Sequence, residues 1–346
     1  MFWEFYKNPG YGEIYNAGGG RSNSISIIEA INLTSKLINQ DYRVRCIDFD
    51  DDHRAYEGLD VELIKGDITK KDSLWNIFED VDVVFHTAAF ICLDRRYKDL
   101  IRNVNVNGTK NVCNVALKSG VKKMIHFSSV DAFNRFPIDK PLLEDKELVN
   151  DKNAIPYDLS KADAQRIVLE YCNKGLEASI LHPVNIFGPY DYKVGLGTEG
   201  LIDLANGKTP RLPNWGYNYV DVRDLCVTAI SAIENGKNGQ NYLVAGEYRT
   251  FFELGQMIGE ALGKEVVKGT IPGFLAYLLV PFSYIKSVRE GVPSTRTLDT
   301  IHTGKTGNKI VPSTLAREEL NHNPRPIMDT VVDFVKFYSD RGLIKI

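Results

Sequence analysis

The chain has 346 residues, of which 43% are hydrophobic and 25% are charged. This composition excludes an intrinsically disordered or fibrous protein, and the length predicts about two lobes, or one large α/β unit with a smaller appendage. With 42 Lys and Arg residues against 45 Asp and Glu residues, the net charge is −3, so the composition lacks the basic surplus of a nucleic-acid-binding protein.

Cysteines are spread singly along the sequence, without a CxxC pair: Cys46, Cys92, Cys113, Cys172 and Cys226. This spacing predicts reduced core residues in a cytoplasmic protein, and neither paired-Cys nor HExxH spacing suggests a metal site. Residues 1–13 lack the basic and apolar regions of a signal peptide. The longest apolar stretch, 271–285, contains two prolines and is shorter than the ~20 residues of a membrane span, which predicts a core or lid segment, with an interfacial segment as the alternative.

From Tyr42 onward, short β-branched runs alternate with amphipathic segments, which is the pattern of βαβ units. Strands are predicted at 42–50, 61–67, 82–90, 122–129 and 177–184, with helices at 103–120 and 156–174. These elements predict a doubly wound parallel sheet, in which ligands bind beyond the carboxyl ends of the strands. A smaller second lobe is predicted after residue 190 from a Gly- and Tyr-rich loop, a segment at 219–225, a strand at 240–246 and helices at 252–263 and 327–342.

Two glycine motifs resemble phosphate-binding loops but lack the required context. Residues 195–200 spell GxGxxG, yet they follow a Tyr-rich loop and no strand. Residues 304–306 resemble the end of a P-loop, but Asp299 occupies the position of its leading glycine. Neither motif predicts a phosphate site.

A stronger signal comes from Tyr157 and Lys161, which begin the predicted helix at 156–174 after a strand that ends in Ser129. Residues four apart share one helix face, so the lysine charge would favour the phenolate and make the tyrosine usable as a base near neutral pH. Ser129 would hydrogen-bond the same substrate oxygen. The alternative is a surface tyrosine and lysine on an amphipathic helix.

Further short segments follow one another in a characteristic order: Asp48, GD at 66–67, HTAA at 86–89, NVNGT at 105–109, SSVDAF at 128–133, YDLSK at 157–161, HPVNIFGP at 182–189 and YVDVRDL at 219–225. With them, the sequence from about Asn32 to its end resembles extended short-chain dehydrogenases/reductases. The resemblance is to the NAD-dependent epimerase/dehydratase, dihydroflavonol reductase and 3β-hydroxysteroid dehydrogenase kind.

This resemblance implies a Rossmann-like α/β fold, with an NAD-binding domain at 32–189 and mainly a substrate lobe at 190–346, from which some segments return to the core. It implies a catalytic set of Ser129, Tyr157 and Lys161. The cofactor contacts that it implies come from Asp48, Asp67, Ile68, Thr87, Ala88, Ala89, Asn105, Lys161 and Pro183. Substrate contacts would come from Ser129, Asn185 and His182. At the position of His182 the family commonly has arginine, and the alternative role for this histidine is packing.

The front of the chain departs from this family. Its glycine loop is expected at about 24–30, where no glycine is present, and the apolar first strand is missing before it. Residues 1–31 instead resemble a C-terminal piece of a CDP-paratose 2-epimerase-type protein, through YNAGGGRSNSISIIEAI at 15–31. Such a join could arise from a fusion, a misassembled reading frame or a deletion, and the sequence does not distinguish between these three origins.

A substitute for the missing elements can be built from the same residues. A short strand at 13–17, a permissive turn at Gly18, Gly19 and Gly20, and a capped helix to about Ile38 would restore strand, turn and helix in order. The helix N-terminus would still offer free N–H groups to a pyrophosphate. We therefore assign the three glycines to the cofactor site and expect weak binding there.

These observations predict a cytoplasmic NAD-dependent oxidoreductase or isomerase that acts on a secondary alcohol or ketone, either a nucleotide sugar or an apolar ketone. The alternative is a non-catalytic dinucleotide-binding or scaffold protein with a defective glycine loop. The expected partner is a small-molecule substrate, with no nucleic acid and no membrane span. A homodimer is compatible with the sequence, which does not determine the oligomeric state.

Overall fold

The structure, a computed structural model, describes residues 2–6, 42–48, 56, 58–192 and 194–345. The strands in these ranges are β1 (Phe2–Tyr6), β2 (Arg43–Asp48), β3 (Glu62–Lys65), β4 (Val83–His86), β5 (Lys123–Phe127), β6 (Ala178–Pro183), β7 (Asn185–Phe187), β8 (Arg211–Pro213), β9 (Gly216–Asp221), β10 (Asn241–Val244), β11 (Glu247–Thr250) and β12 (Gly269–Ile271). Within the described chain, seven of them form one sheet in the order β10-β6-β5-β4-β1-β2-β3.

The centre of this sheet consists of β4, β5 and β6, in which every residue is buried. Continuous buried runs are typical of parallel strands that are covered by helices on both faces. The three strands pair in parallel, as do β2 with β3 and β6 with β10. Their order is that of a Rossmann sheet, which confirms the predicted fold class.

The position of the first strand corrects the expectation that the first strand of the sheet is missing or is replaced by residues 13–17. Strand β1, with the sequence FWEFY, lies between β2 and β4 and runs antiparallel to both. Trp3 pairs with Cys46 and Phe85, and Tyr6 pairs with Arg43. Aromatic residues favour a strand, so this segment fills the place of the usual parallel first strand in the opposite direction. The strand expected at 13–17, the turn at Gly18 to Gly20 and the helix to Ile38 lie outside the described residues.

The helices of the described chain surround this sheet and form the second lobe. They are α1 (Lys98–Arg102), α2 (Thr109–Lys118), α3 (Pro156–Cys172), α4 (Leu196–Ala205), α5 (Val222–Asn235), α6 (Phe251–Leu262), α7 (Phe274–Leu278), α8 (Val280–Glu290), α9 (Leu298–Lys305), α10 (Thr314–Glu319) and α11 (Ile327–Asp340). A π-helical segment, Asn103–Gly108, joins α1 to α2. Helices α2 and α3 pack side by side, and α5 packs against β5 and β6.

A second core lies between α6, α11 and a three-stranded sheet of β11, β9 and β7. Leu254 and Ile258 of α6 meet Val331, Phe334 and Tyr338 of α11, all of them buried. Strand β10 and helix α5, although they follow residue 190, belong to the main sheet and its core. The second lobe is therefore interleaved with the first.

The apolar stretch at 271–285 is not part of either core. It covers the end of β12, helix α7 and the first half of α8, and its side chains are largely exposed. None of the helices among the described residues has both the length and the apolar character to cross a membrane. All five cysteines are free thiols, four of them buried and Cys172 half-buried, as the sequence predicted.

Candidate active site

A large cleft of about 1460 Å³ opens beyond the carboxyl ends of the central strands. Pockets that hold one drug-sized ligand span roughly 300–1,000 Å³, so this cleft has room for more than one such group. Several of the predicted site residues line it together: Thr87, Ala89, Ser129, Tyr157, Lys161, Pro183 and Asn185. The fold thus gathers residues that are far apart in sequence at one edge of the sheet.

Helix α3 carries the tyrosine and lysine at its start. Pro156 occupies the first turn, where proline is tolerated because its missing N–H would have no helical partner. Both Tyr157 and Lys161 are buried, and Lys161 Nζ lies 6.0 Å from the centroid of the tyrosine ring. Lys161 Nζ also donates a hydrogen bond to the carbonyl oxygen of Phe127 at 3.0 Å. The end of β5 therefore holds the ammonium group beside the phenol.

Ser129 follows β5 and faces the same cleft. Its hydroxyl oxygen accepts a hydrogen bond from Asp131 N at 3.1 Å and the hydroxyl donates to Asp131 Oδ2 at 3.2 Å. The neighbouring Ser128 instead donates to Gln165 Oε1 of α3 at 3.3 Å. Ser129 is thus the serine whose hydroxyl can turn from Asp131 towards a ligand oxygen.

His182, at the end of β6, is fully buried and does not line the cleft. Its Nδ1 lies 3.0 Å from the carbonyl oxygen of Ser129, and its Nε2 lies 3.2 Å from Asn241 Oδ1. The ring also packs on Phe133, with 4.4 Å between centroids. These contacts place His182 behind Ser129, where it positions the serine backbone, while Asn185 reaches the cleft itself.

Asn105 lies in the π-helical segment and ties two parts of the site together. Its Oδ1 accepts from Phe90 N at 2.6 Å, and its Nδ2 donates to Phe90 O at 3.2 Å and to Ser160 Oγ at 2.9 Å. Phe90 lies in the loop after β4 and Ser160 on α3. Asn105 therefore fixes the loop after β4 relative to the helix that carries Tyr157, and π-helical turns are frequent at functional sites.

The remaining predicted cofactor residues lie along the same edge. Asp67 Oδ1 accepts from Thr69 N and Thr69 Oγ1, at 2.9 and 2.7 Å, which shapes the turn after β3. Ile68 packs so closely on Gly108 that a Cβ there would lie 2.5 Å from its side chain. Ala88 is buried between Thr87 and Ala89, which both line the cleft. The Asp48 side chain and Gly18, Gly19 and Gly20 lie outside the described residues.

A buried charge cluster was missed by the sequence reasoning. Arg135 donates to Asp158 Oδ2 at 2.5 Å and to Asp131 Oδ1 at 3.1 Å, and Arg135 and Asp131 line the cleft. Burial, with help from Asp131, raises the pKa of Asp158 well above its usual value in spite of the guanidinium. No local pattern indicates this cluster, because Arg135 and Asp158 come from segments that only folding brings together.

Three buried histidines lie on neighbouring strands: His86 pairs with His126, and His182 lies two residues beyond Ile180, which is the residue opposite His126. His86 and His126 have ring centroids 5.3 Å apart, and among the described residues no hydrogen-bond partner meets either ring nitrogen of His126. Burial lowers the pKa of His182 to about 4 and lowers the pKa values of His86 and His126 well below the usual range, with Lys161 adding to each effect. All three rings are neutral in the folded protein at neutral pH.

This row predicts acid-sensitive stability. Unfolded histidines take up protons below pH ~6.5, whereas the folded rings do not until a much lower pH, so the free energy of unfolding should fall as the pH drops from about 6.5 towards 4. His126→Leu should remove about one proton from this uptake, which reduces the slope by about 1.4 kcal/mol per pH unit. Denaturant titrations at pH values from about 4.5 to about 8 measure the slope of the free energy of unfolding against pH.

The exposed His302 provides the control: burial lowers its pKa less than that of His126, so His302→Gln should change the pH slope less than His126→Leu does. At the high end of the pH range, His126→Leu should be at least as stable as the wild type, since a buried polar group without a partner costs about 1–3 kcal/mol. An unchanged pH slope in His126→Leu would contradict the interpretation.

Residues 31–245 match the family described as the NAD dependent epimerase/dehydratase family. The chain belongs to this family. The match confirms the predicted family, its enzyme class and NAD as the cofactor. The matched range of this family member includes Ser129, Tyr157 and Lys161.

Several known proteins resemble this family member over most of their length. Sterol demethylase protein B of Methylococcus capsulatus is 28% identical over 322 residues, which cover 90% of this chain and 96% of that protein. A putative dihydroflavonol 4-reductase of Synechocystis is 26% identical and covers 70% of this chain and 72% of its own. The crystal structure of gox2253 has a TM-score of 0.78 at 28% identity, over 93% of this chain and 98% of the other.

A more distant structure shows the shared fold alone. DesIV, a dTDP-glucose 4,6-dehydratase of Streptomyces venezuelae solved with NAD and TYD bound, has a TM-score of 0.70 at 19% identity. The two structures align over 93% of this chain and 96% of DesIV.

The described half of the cleft fits the family's cofactor. The small side chain of Ala89 leaves space along the carboxyl end of β4, and the Lys161 ammonium lines the cleft as a hydrogen-bond donor of the kind that a ribose hydroxyl can accept from. The carboxyl ends of β4, β5 and β6 form one continuous wall. In the described residues, no group of three or more His, Cys, Asp or Glu side chains could hold a metal ion.

Proposed function

We propose that the protein is an NAD-dependent oxidoreductase that interconverts a secondary alcohol and a ketone on an apolar substrate. One observation carries this proposal: Ser129, Tyr157 and Lys161 line one cleft whose lining as a whole is more apolar than polar. The apolar lining comes from the loop after β4, with Phe90, Ile91 and Leu93, and from α8 and the residues flanking it, with Leu279, Phe282 and Val292. Apolar walls with a few polar groups at one end are typical of small-molecule sites.

In this proposal Tyr157 is the acid/base group. Its phenol donates a proton to a ketone oxygen or accepts one from an alcohol, and the nearby Lys161 ammonium stabilises the phenolate by its charge. Ser129 donates a hydrogen bond to the same oxygen and fixes its position once its hydroxyl turns from Asp131. NAD supplies the hydride acceptor, or in reduced form the donor, when it is bound.

The chain's own residues would also hold the cofactor in defined places. Lys161 would donate to the nicotinamide ribose, Pro183 would border the nicotinamide, and Asn105 would keep the loop of Thr87 to Ala89 in place through Phe90. Asp67 and Ile68 would border the adenine. Asp48 would accept from the adenosine ribose hydroxyls, and Gly18, Gly19 and Gly20 would face the pyrophosphate.

Two relatives support an apolar substrate over a nucleotide sugar. Sterol demethylase protein B and a 3beta-hydroxysteroid-dehydrogenase/decarboxylase of Arabidopsis thaliana, which is 29% identical over 242 residues, are named for sterol-type chemistry. We extend that substrate class to this chain because of the apolar lining. The nucleotide-sugar enzymes among the solved structures are less similar in sequence and support the fold alone.

The competing function is a dinucleotide-binding or scaffold protein without turnover, which the antiparallel β1 supports. An initial-rate assay separates the two: the purified chain is offered a 3β-hydroxysteroid with NAD, where formation of NADH is followed by absorbance, and a dihydroflavonol with NADH, where its consumption is followed. A UDP-sugar with NAD is analysed for conversion by chromatography, because an epimerisation forms no net NADH. We expect turnover of the steroid-like alcohol or the flavonoid ketone. NAD binding by calorimetry without conversion of any substrate supports the scaffold function instead.

The cofactor preference is a separate prediction. Four of the five residues at 48–52 are Asp, with Phe49 between the first two, and these carboxylates would repel a 2′-phosphate, so NAD should bind tighter than NADP. Competition titration measures both dissociation constants. Asp48→Ser should narrow the difference, while Asp60→Ser, a change at another acidic position near β3, should leave it unchanged; equal or tighter NADP binding in the wild type would contradict the prediction.

A further inference from the structure

Helices α7 and α8 carry an unusual concentration of exposed apolar side chains. Of the nineteen large hydrophobic residues that are exposed in the described chain, nine lie between 274 and 292. They are Phe274, Tyr277, Leu278, Leu279, Phe282, Tyr284, Ile285, Val288 and Val292. Contiguous apolar surface of this kind marks an interaction site on a soluble protein. We call these nine residues the apolar face.

The two sides of α8 are inverted relative to an ordinary surface helix, whose apolar side faces the core. Ser283 and Ser287, four residues apart, face the protein: Ser283 Oγ lies 2.9 Å from Ser294 Oγ, and Ser287 Oγ accepts from Arg96 Nη2 at 2.6 Å. Ile285 and Val288 face outward and are about half exposed, at 49% and 53%. Polar contacts thus anchor the helix while its large apolar side chains point to the outside.

The charge of the segment favours an anionic occupant. Residues 274–296 contain three Lys and Arg and one Glu, a net charge of +2 in a chain whose total is −3. Lys286 and Arg289 are exposed next to the apolar face, and Tyr277 and Tyr284 add side chains with an apolar body and a polar tip. Exposed apolar side chains flanked by cations and aromatic rings are the composition of helices that lie in a membrane interface.

The apolar face is also continuous with the cleft. Leu279, Phe282 and Val292 belong to both, and Lys286 lies at the cleft wall. If a second copy of the chain bound through the same face, each copy would cover the cleft entrance of the other. A lipid surface would instead place the cleft entrance next to an apolar phase. We propose that α7 and α8 bind the surface of an anionic phospholipid bilayer, with the entrance of the cleft turned towards the lipid.

Vesicle sedimentation tests this proposal with the full chain. We expect binding to vesicles of equal phosphatidylcholine and phosphatidylglycerol, weaker binding to phosphatidylcholine alone, and a decrease with salt. Leu278→Ser/Ile285→Ser/Val288→Ser, three residues that do not line the cleft, should weaken the partition coefficient by about tenfold or more. The matched control Leu143→Ser/Val227→Ser/Val332→Ser removes three other exposed apolar residues and should bind like the wild type.

A second variant keeps the test independent of the stability of the triple mutant. Ile285→Trp places a fluorophore on the apolar face, and its emission should shift to the blue on addition of the mixed vesicles. Any of three results would overturn the proposal. They are sedimentation of the wild type no greater than without vesicles, an unchanged partition coefficient of the triple variant Leu278→Ser/Ile285→Ser/Val288→Ser, and an unshifted Trp emission. If the wild type does not bind vesicles but forms a concentration-dependent dimer that only the apolar-face triple variant loses, the occupant of the face is a second copy of the chain and the proposal is overturned.

Discussion

Tyr157→Phe is expected to lower kcat by about 10²-fold or more, because it removes the proton donor and acceptor of the proposed reaction. The ring stays in place, so α3 and the cleft wall should keep their packing, and KM should change little. Stopped assays of NADH formation with the substrate identified in the panel measure kcat and KM separately. The thermal transition should remain close to that of the wild type.

Two companion variants define the roles further. Lys161→Met should lower both kcat and NAD affinity, because it removes the charge beside the phenol and the donor proposed for the ribose. Ser129→Ala should cost less than either, since it removes only one hydrogen bond to the reacting oxygen.

Tyr171→Phe is the matched control for Tyr157→Phe. Tyr171 lies on the same helix and is also buried, but its hydroxyl accepts from Asn114 Nδ2 at 3.2 Å, far from the cleft lining. It should retain the wild-type kcat. A wild-type kcat in Tyr157→Phe would remove the proposed mechanism.

Replacing residues 1–31 by an apolar strand and a TGxxGxxG loop should tighten NAD binding by about tenfold or more. In β1 the chain runs from Phe2, opposite His86, to Tyr6, opposite Arg43 at the start of β2. The chain therefore leaves β1 at the edge of the sheet opposite the cleft. A parallel first strand would deliver its loop directly to the cleft, where only glycine allows the backbone to approach a pyrophosphate.

Calorimetric titration of NAD into the grafted and the natural chain measures this effect. The same graft with alanine in place of each loop glycine is the control: it should raise the melting temperature through the added strand but should not tighten NAD binding. If Gly18 to Gly20 already hold the pyrophosphate, the glycine graft will leave the affinity unchanged, and the expectation of weak binding will be wrong.

Most of the sheet could be predicted because its signals are local. The strand at 122–129 is β5 at Lys123–Phe127, and the strand at 177–184 is β6 at Ala178–Pro183, since short runs centred on apolar residues, bounded by polar or helical segments, predict buried strands. The common position of Tyr157 and Lys161 on one side of α3 follows from a spacing of four residues. The departure at the front was also visible in the sequence, although its outcome, an antiparallel strand from the first six residues, was not.

The sequence by itself determined the alternation of strands and helices, because periodicity and residue spacing are properties of nearby residues. The order of its short motifs along the chain carried the resemblance that implied the NAD-dependent family and the set of Ser129, Tyr157 and Lys161. Only the tertiary structure decided the direction of β1, the pairing of Arg135 with Asp158 and the outward side of α8. Each of these depends on which distant segment lies opposite. A strand can pair in either direction, a buried charge needs a partner from elsewhere, and an apolar run can face a core or a solvent-exposed surface, so local pattern alone leaves them undetermined.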